Sequence, residues 1–320
     1  MLIFLLMESI HTLSLPIVRE ENVCLPLVIN AVSKYWGVDL PLTEAIEIAK
    51  KYPGAKGSIL IEGVELAERH GLSSVILNSS LRELREMIDM GIPLIVILPG
   101  LKDVVQHASL VVGYDEMERT IFHYIPEPDK IGVIPEEKFD QQWAEDDRLA
   151  VLLMPQDIML EIKFYDKNKS ESNRLCFSAE KMRLEGKIED SLQLLKEALQ
   201  INPSNSTATC LLAGMLNDAN SPDAIKYYKQ SIELNPSCYL AYRGLGNYYL
   251  KMRDYPSAEK YYTIAIDINP QRFAAIYKNR GIARLEQKNY PGAKEDFKKY
   301  LEQVPAARDA ASVIQAIKEL

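Results

Sequence analysis

Two residues in this sequence are placed to do chemistry together: a cysteine at a helix start and a histidine at a strand start. Cys24 opens LPLVINAVSKYWG, in which Leu25, Val28, Ile29, Val32 and Trp36 share one helical face and Gly37 marks the stop. Pro26 fits only the first turn of such a helix, which puts Cys24 at its N-terminus. Unpaired backbone N–H groups and the positive helix end favour a thiolate there, and a nearby imidazolium favours it further. His107 opens HASLVVGYDE after the loop 100–106. A sulfur nucleophile facing an imidazole base across a cleft is the equipment of acyl transfer.

The elements around this pair alternate in type. Thr43–Lys51 and Ser58–His70 read as helices, and Ser80 with Glu83 forms a capping box opening a third that ends at Gly91. Strand signals follow at Leu94–Leu98, Ala108–Tyr114, Thr120–Ile125 and Gly132–Ile134. A short helix, Glu136–Trp143, precedes a last strand, Leu149–Met154. Helices followed by an antiparallel meander predict an α+β domain.

Composition bounds the rest. The chain has 320 residues, 47% hydrophobic and 26% charged, with net charge −8. That is globular composition, and the acidic balance argues against nucleic acid or an anionic membrane as partner. Four cysteines without a CxxC pair, and four histidines without HExxH or HxH, predict neither a disulfide scaffold nor a metal. No cofactor is expected. The opening MLIFLLMES lacks a basic n-region and is too short to span a bilayer, so a cytoplasmic protein is expected.

The second half repeats itself. INPSN, LNPSC, INPQR and QVPAA place prolines at 203, 236, 270 and 305, spacings of 33, 34 and 35. Between them run two amphipathic helical stretches per unit. Tyr242, Leu245, Gly246, Tyr249, Ala258, Tyr262, Ala265 and Pro270 mark one unit; Tyr277, Gly281, Tyr290, Ala293, Phe297 and Pro305 mark the next. This pattern resembles the tetratricopeptide repeat (TPR) family. The resemblance implies an all-α solenoid with a groove for a protein or peptide ligand. Arg243, Asn247, Lys278 and Asn279 stand where related repeats hold a peptide carboxylate, and they are the candidate groove residues.

NVCLPLVINAVSKYWG, GIPLIVIL, HASLVVGYD, KFDQQW and LAVLLMP resemble the bacteriocin-leader (double-glycine) peptidases and their stand-alone relatives. The resemblance covers about residues 14–155 and implies a papain-like fold with Cys24 as nucleophile and His107 as general base. Relatives usually read Cys-Gly-Pro where this chain has Cys24-Leu25-Pro26, and they carry a Gln shortly before the cysteine. Here residues 18–22 are VREEN, with Asn22 the candidate oxyanion amide. For orienting the imidazole, Asp115, His123, Glu127 and Asp129 stay open. The domain reading is an N-terminal extension (1–13), a papain-like domain (14–155), a connector (156–171), four TPR units (172–305) and a capping helix (306–320). The expectation is a cysteine peptidase whose repeats recruit a protein and whose N-terminal cleft takes a peptide substrate. The alternative is a pseudo-peptidase acting as a peptide-binding TPR adaptor.

Overall fold

The computed structural model describes residues 10–14, 24–52, 59–100, 106–125, 130–162 and 165–320. Contacts divide the chain into two units. In the first, a seven-stranded sheet is built from β1 (Ile10–Thr12), β2 (Ser73–Asn78), β3 (Leu94–Pro99), β4 (Gln106–Asp115), β5 (Thr120–Ile125), β6 (Lys130–Pro135) and β7 (Leu149–Met154). Its order is β2-β7-β3-β4-β5-β6, with β1 joined to β4. β7 runs antiparallel to both of its neighbours, and β5 to both of its own.

Every residue of β7, LAVLLM, is buried. A strand covered on both faces reads as an unbroken apolar run, because neither parity meets water. Leu149, Val151 and Leu153 join a core layer with α1 (Cys24–Tyr35), α2 (Leu42–Lys50) and α3 (Leu60–Arg69). Ala150, Leu152 and Met154 join the opposite layer with α4 (Leu81–Asp89) and α5 (Glu136–Glu145). The Ser80 capping box forms: its hydroxyl oxygen accepts from Glu83 N and its hydroxyl donates to the Glu83 carboxylate at 3.0 Å.

The antiparallel character expected from sequence is present, but the order is not a simple meander. β2 is a strand beyond those the sequence predicts, and β7 lies between β2 and β3. Six residues bounded by Leu72 and the Ser79-Ser80 cap are too short for periodicity to declare themselves. The connector likewise contains a short helix, α6 (Gln156–Glu161).

The first unit also holds the hairpin of α7 (Lys167–Leu184) and α8 (Ile188–Ile201). The proline phrasing groups this hairpin with the repeats; its contacts group it with the sheet. Arg174 donates from both terminal nitrogens to Glu68 at 2.7 Å, and Lys181 reaches Glu65 at 2.7 Å and Glu62 at 3.1 Å. Glu62 is drawn below the usual carboxylate range against the cost of its burial, because Lys51, Lys181 and Tyr52 all donate to it.

The second unit is helical: α9 (Ser206–Asp218), α10 (Ala224–Leu234), α11 (Tyr239–Lys251), α12 (Tyr255–Ile268), α13 (Ala275–Glu286), α14 (Tyr290–Gln303) and α15 (Ala310–Glu319). Gln106 and Glu145–Asp147 cluster with it. Within each hairpin the helices close on glycine and alanine. A Cβ on Gly246 would lie 2.5 Å from the Tyr262 ring, and one on Gly281 2.7 Å from the Phe297 ring. Ala258, Ala265 and Ala293 are fully buried. Asn202, Asn235, Asn269 and Val304 end α8, α10, α12 and α14, each followed by one of the four phased prolines.

Candidate functional site

Cys24 is the first residue of α1, half-buried against the layer that α1, α2 and α3 form on the sheet. His107 is the second residue of β4 and is also half-buried. Along β4, Ala108, Leu110 and Val112 enter the layer that includes Cys24, whereas Val111 enters the other. His107 shares the parity of Ser109 and Val111.

Next to His107 the structure assembles a neutral polar relay. His123 on β5 stands opposite Val111 and is 7% exposed. Its Nδ1 lies 2.9 Å from Ser109 Oγ, and that hydroxyl lies 2.6 Å from the Tyr124 carbonyl oxygen. Ser109 has one proton and the carbonyl can only accept, so the hydroxyl donates to Tyr124 and accepts from His123 Nδ1–H. Burial, and then the neighbouring His107, press the His123 pKa down to about 4. The imidazole is therefore uncharged at neutral pH, and it meets Phe139 edge-on.

Of the other candidates, Asp115 ends β4, eight residues beyond His107, roughly 26 Å away at about 3.3 Å per residue. There it accepts from Met117 N at 2.8 Å and Glu118 N at 3.1 Å, holding the β4–β5 turn. The structure does not bring it to His107. Asn22, Glu127 and Asp129 lie outside the described residues. Ser109 carries no signal of its own in the sequence. Only the β4–β5 register, which sets Ser109 diagonal to His123, reveals it.

The second unit buries a charged cluster. Arg272 is fully buried, donating to Glu145 at 3.0 Å and to both oxygens of Asp146 at 2.8 and 3.0 Å, with its guanidinium over the Tyr239 ring. Asn269 also donates to Glu145, and Gln106 to Asp146. One guanidinium serves two buried carboxylates. Burial accordingly raises Glu145 to about 7, against the pull of Arg272.

The groove candidates are engaged with neighbouring elements of the repeats themselves. Asn247 Oδ1 accepts from Tyr262 at 2.8 Å and from Asn279 at 3.4 Å. Arg243 stacks on Phe273 with 4.2 Å to the ring centroid. Lys278 pairs with Asp309 at 2.6 Å and lies over Tyr300. The asparagines thus form a ladder from one hairpin to the next, and the cations hold adjoining helices while keeping partial exposure.

The family model of the tetratricopeptide repeat matches residues 216–273 and 244–311. The C-terminal part of this chain is built of tetratricopeptide repeats. These TPR hairpins run from α10 onward in the matched region, and Tyr262 and Phe297 are their packing aromatics. Solved structures similar to this chain include PilF of Pseudomonas aeruginosa, 20% identical over 48% of this chain and 72% of that one, with a TM-score of 0.44. MamA of Desulfovibrio magneticus RS-1 is 16% identical over 47% and 92%, TM-score 0.41. A thermophilic TPR protein of Thermus thermophilus is 19% identical over 46% and 80%, TM-score 0.37. No curated protein matches the chain. Among the described residues, no helix is long and apolar enough to cross a membrane and no group of acidic, histidine or cysteine side chains is arranged to hold a metal.

Proposed function

We propose that this protein is an adaptor whose TPR hairpins bind a segment of a partner protein. The observation that carries this reading is the run of consecutive repeats matched by the family model, 216–311, with their packing residues in place. The partner segment would lie along α11 and α13, where Arg243, Asn247, Lys278 and Asn279 keep exposed surface. The test is affinity capture from the source cell with the full chain, beside Arg243→Glu and Lys278→Glu forms that retain their helical circular dichroism. A partner held by the wild type and lost from both variants is expected. Identical captured sets would overturn the reading.

A second reading is favoured by the position of Cys24 at the first turn of α1, where the helix end supports a thiolate. In that reading the first unit is a papain-like acyl-transfer domain, with Cys24 attacking a carbonyl and His107 carrying the proton. The discriminating measurement is the pH dependence of Cys24 alkylation in wild type and His107→Ala. A thiol titrating well below about 8.5, and rising when His107 is lost, supports acyl transfer. An ordinary thiol leaves the adaptor reading by itself.

A further inference from the structure

The terminal strand of the sheet keeps an open row of backbone groups. β2 stands first in the sheet order, and β7 is the strand that pairs with it. Just past β2, Ser79 N donates to the Arg148 carbonyl oxygen at the start of β7. The Ile76 carbonyl oxygen instead accepts from the side chain of Asn173 in α7, at 3.3 Å. In an antiparallel strand the N–H and C=O of one residue point to the same side, and the sides alternate along the chain. Ser73, Val75 and Leu77 therefore bond towards β7, while Ser74 and Ile76 face outward. Among the described residues, the Ser74 N–H and C=O and the Ile76 N–H meet no hydrogen-bond partner. Asn173, 1% exposed, supplies this edge with one amide donor, as a neighbouring strand would.

A cavity of about 280 Å³ opens at the same place. Ser74, Val75 and Ile76 line it on one side, and Lys167, Ser170, Glu171 and Arg174 on the other, one stripe of α7 at helical spacing. Val75 turns its side chain into one core layer and Ile76 into the opposite one. A space that touches both residues lies at the edge of the strand, not over a face of the sheet. Charge gives the cavity a direction. Arg174 is committed to Glu68 at 2.7 Å and feels Glu171 as well. Lys167 is exposed and has no ion pair among the described residues. It stands in the first turn of α7, where the helix end is positive.

We propose that the β2 edge is a docking site for an extended peptide segment, which adds a further strand in the cavity beside α7 and places an acidic side chain at the Lys167 end. One guest residue opposite Ser74 exchanges N–H and C=O with it, and the residue two positions away accepts from the Ile76 N–H. The cavity limits the docked stretch to a few residues. Neither the groove of the repeats nor the pair Cys24 and His107 contributes a residue to this site.

The test is amide-resolved NMR of the full chain. In the free protein the Ser74 and Ile76 amides should exchange openly with solvent, whereas those of Val75 and Leu77, bonded to β7, should be protected. The probe is a set of end-blocked pentapeptides carrying one Asp among randomised positions, added to millimolar concentration. It should shift the Ser74 and Ile76 amides and slow their exchange, and the same peptides N-methylated at every amide should do neither. Ser74→Pro removes an outward N–H and no ladder bond, so it should keep the fold and weaken binding about threefold to tenfold. Lys167→Glu, on the exposed side of the cavity, should weaken it about threefold. Slow exchange of Ser74 and Ile76 in the free protein, from a second copy or from the chain's own residues covering the edge, would overturn the proposal. So would the absence of any response at these two amides, an equal response to the N-methylated peptides, or binding unchanged in both variants.

Discussion

The two units are held together over different lengths of chain. In the sheet unit, Ser73 pairs with Met154 and Asn78 with Leu149, separations of 81 and 71 residues. In the repeats, Asn247 meets Asn279 and Lys278 meets Asp309 across 32 and 31 residues, about one repeat. A fold built from distant pairings forms or fails as a whole. A stack of hairpins passes stability only to its neighbours. A candidate chemical pair thus sits on a cooperative scaffold, while the helices proposed to bind a partner sit on one that can loosen by stages.

The sharpest way to break that contrast is a matched pair of core truncations. Phe297→Ala removes the ring that fills the space over Gly281 and should cost about 3–5 kcal/mol. Leu152→Ala, in the centre of β7, should cost about 2–5 kcal/mol. Hydrogen exchange should show protection lost only in α11 to α15 for the first and throughout the sheet for the second. Exchange spreading from Phe297→Ala into the sheet would show that the two units share one cooperative transition.

The titrating groups offer a second contrast, with opposite signs. His123 has its pKa lowered from 6.5 to about 4 in the fold. Its contribution is complete above pH 6.5 and is lost as pH falls towards 4, about 3 kcal/mol in all. Glu145 is raised from 4.5 to about 7, so its contribution is complete below pH 4.5 and is lost as pH rises to 7. Its size is likewise about 3 kcal/mol. Urea midpoints between pH 4.5 and 7 should therefore flatten in opposite senses for His123→Gln and Glu145→Gln. Parallel shifts would contradict the assignment of protons.

Smaller effects attend the glycines. Gly113→Ala places a methyl against the His11 carbonyl oxygen and should cost about 1–3 kcal/mol by lifting β1 from β4. Gly246→Ala meets the Tyr262 ring and should cost a similar amount. Thermal melts monitored by tryptophan fluorescence, which reports Trp36 and Trp143, should register the first and miss the second. The smallest effect runs the other way. Asn220, Arg253 and Lys288 hold positive φ where α9, α11 and α13 end, at the turn where Gly186 ends α7. Arg253→Gly should raise stability by about 0.5–1 kcal/mol, visible as a higher urea midpoint with unchanged slope.

The repeats are the more legible region, because their packing residues recur at a fixed period and the period itself is the signal. Gly246, Gly281, Ala258 and Ala293 stand in the structure where their spacing requires small residues. In the sheet unit, single elements are readable: α1 begins at Cys24, and β5 and β7 fall at the residues expected. Strand order is not, since nothing local tells β7 to lie between β2 and β3. The same holds for polar partners. The Ser109–His123 contact depends on register, which no local signal sets.

The place of β7 bears on how the protein is made. A ribosome delivers β2 and β3 long before residues 149–154, yet those strands are joined through β7. Until the end of β7 is free of the exit tunnel, both present unsatisfied apolar edges of the kind that recruit other chains. The nascent polypeptide therefore has a defined interval of vulnerability. The repeats, synthesised afterwards, can fold hairpin by hairpin as they emerge.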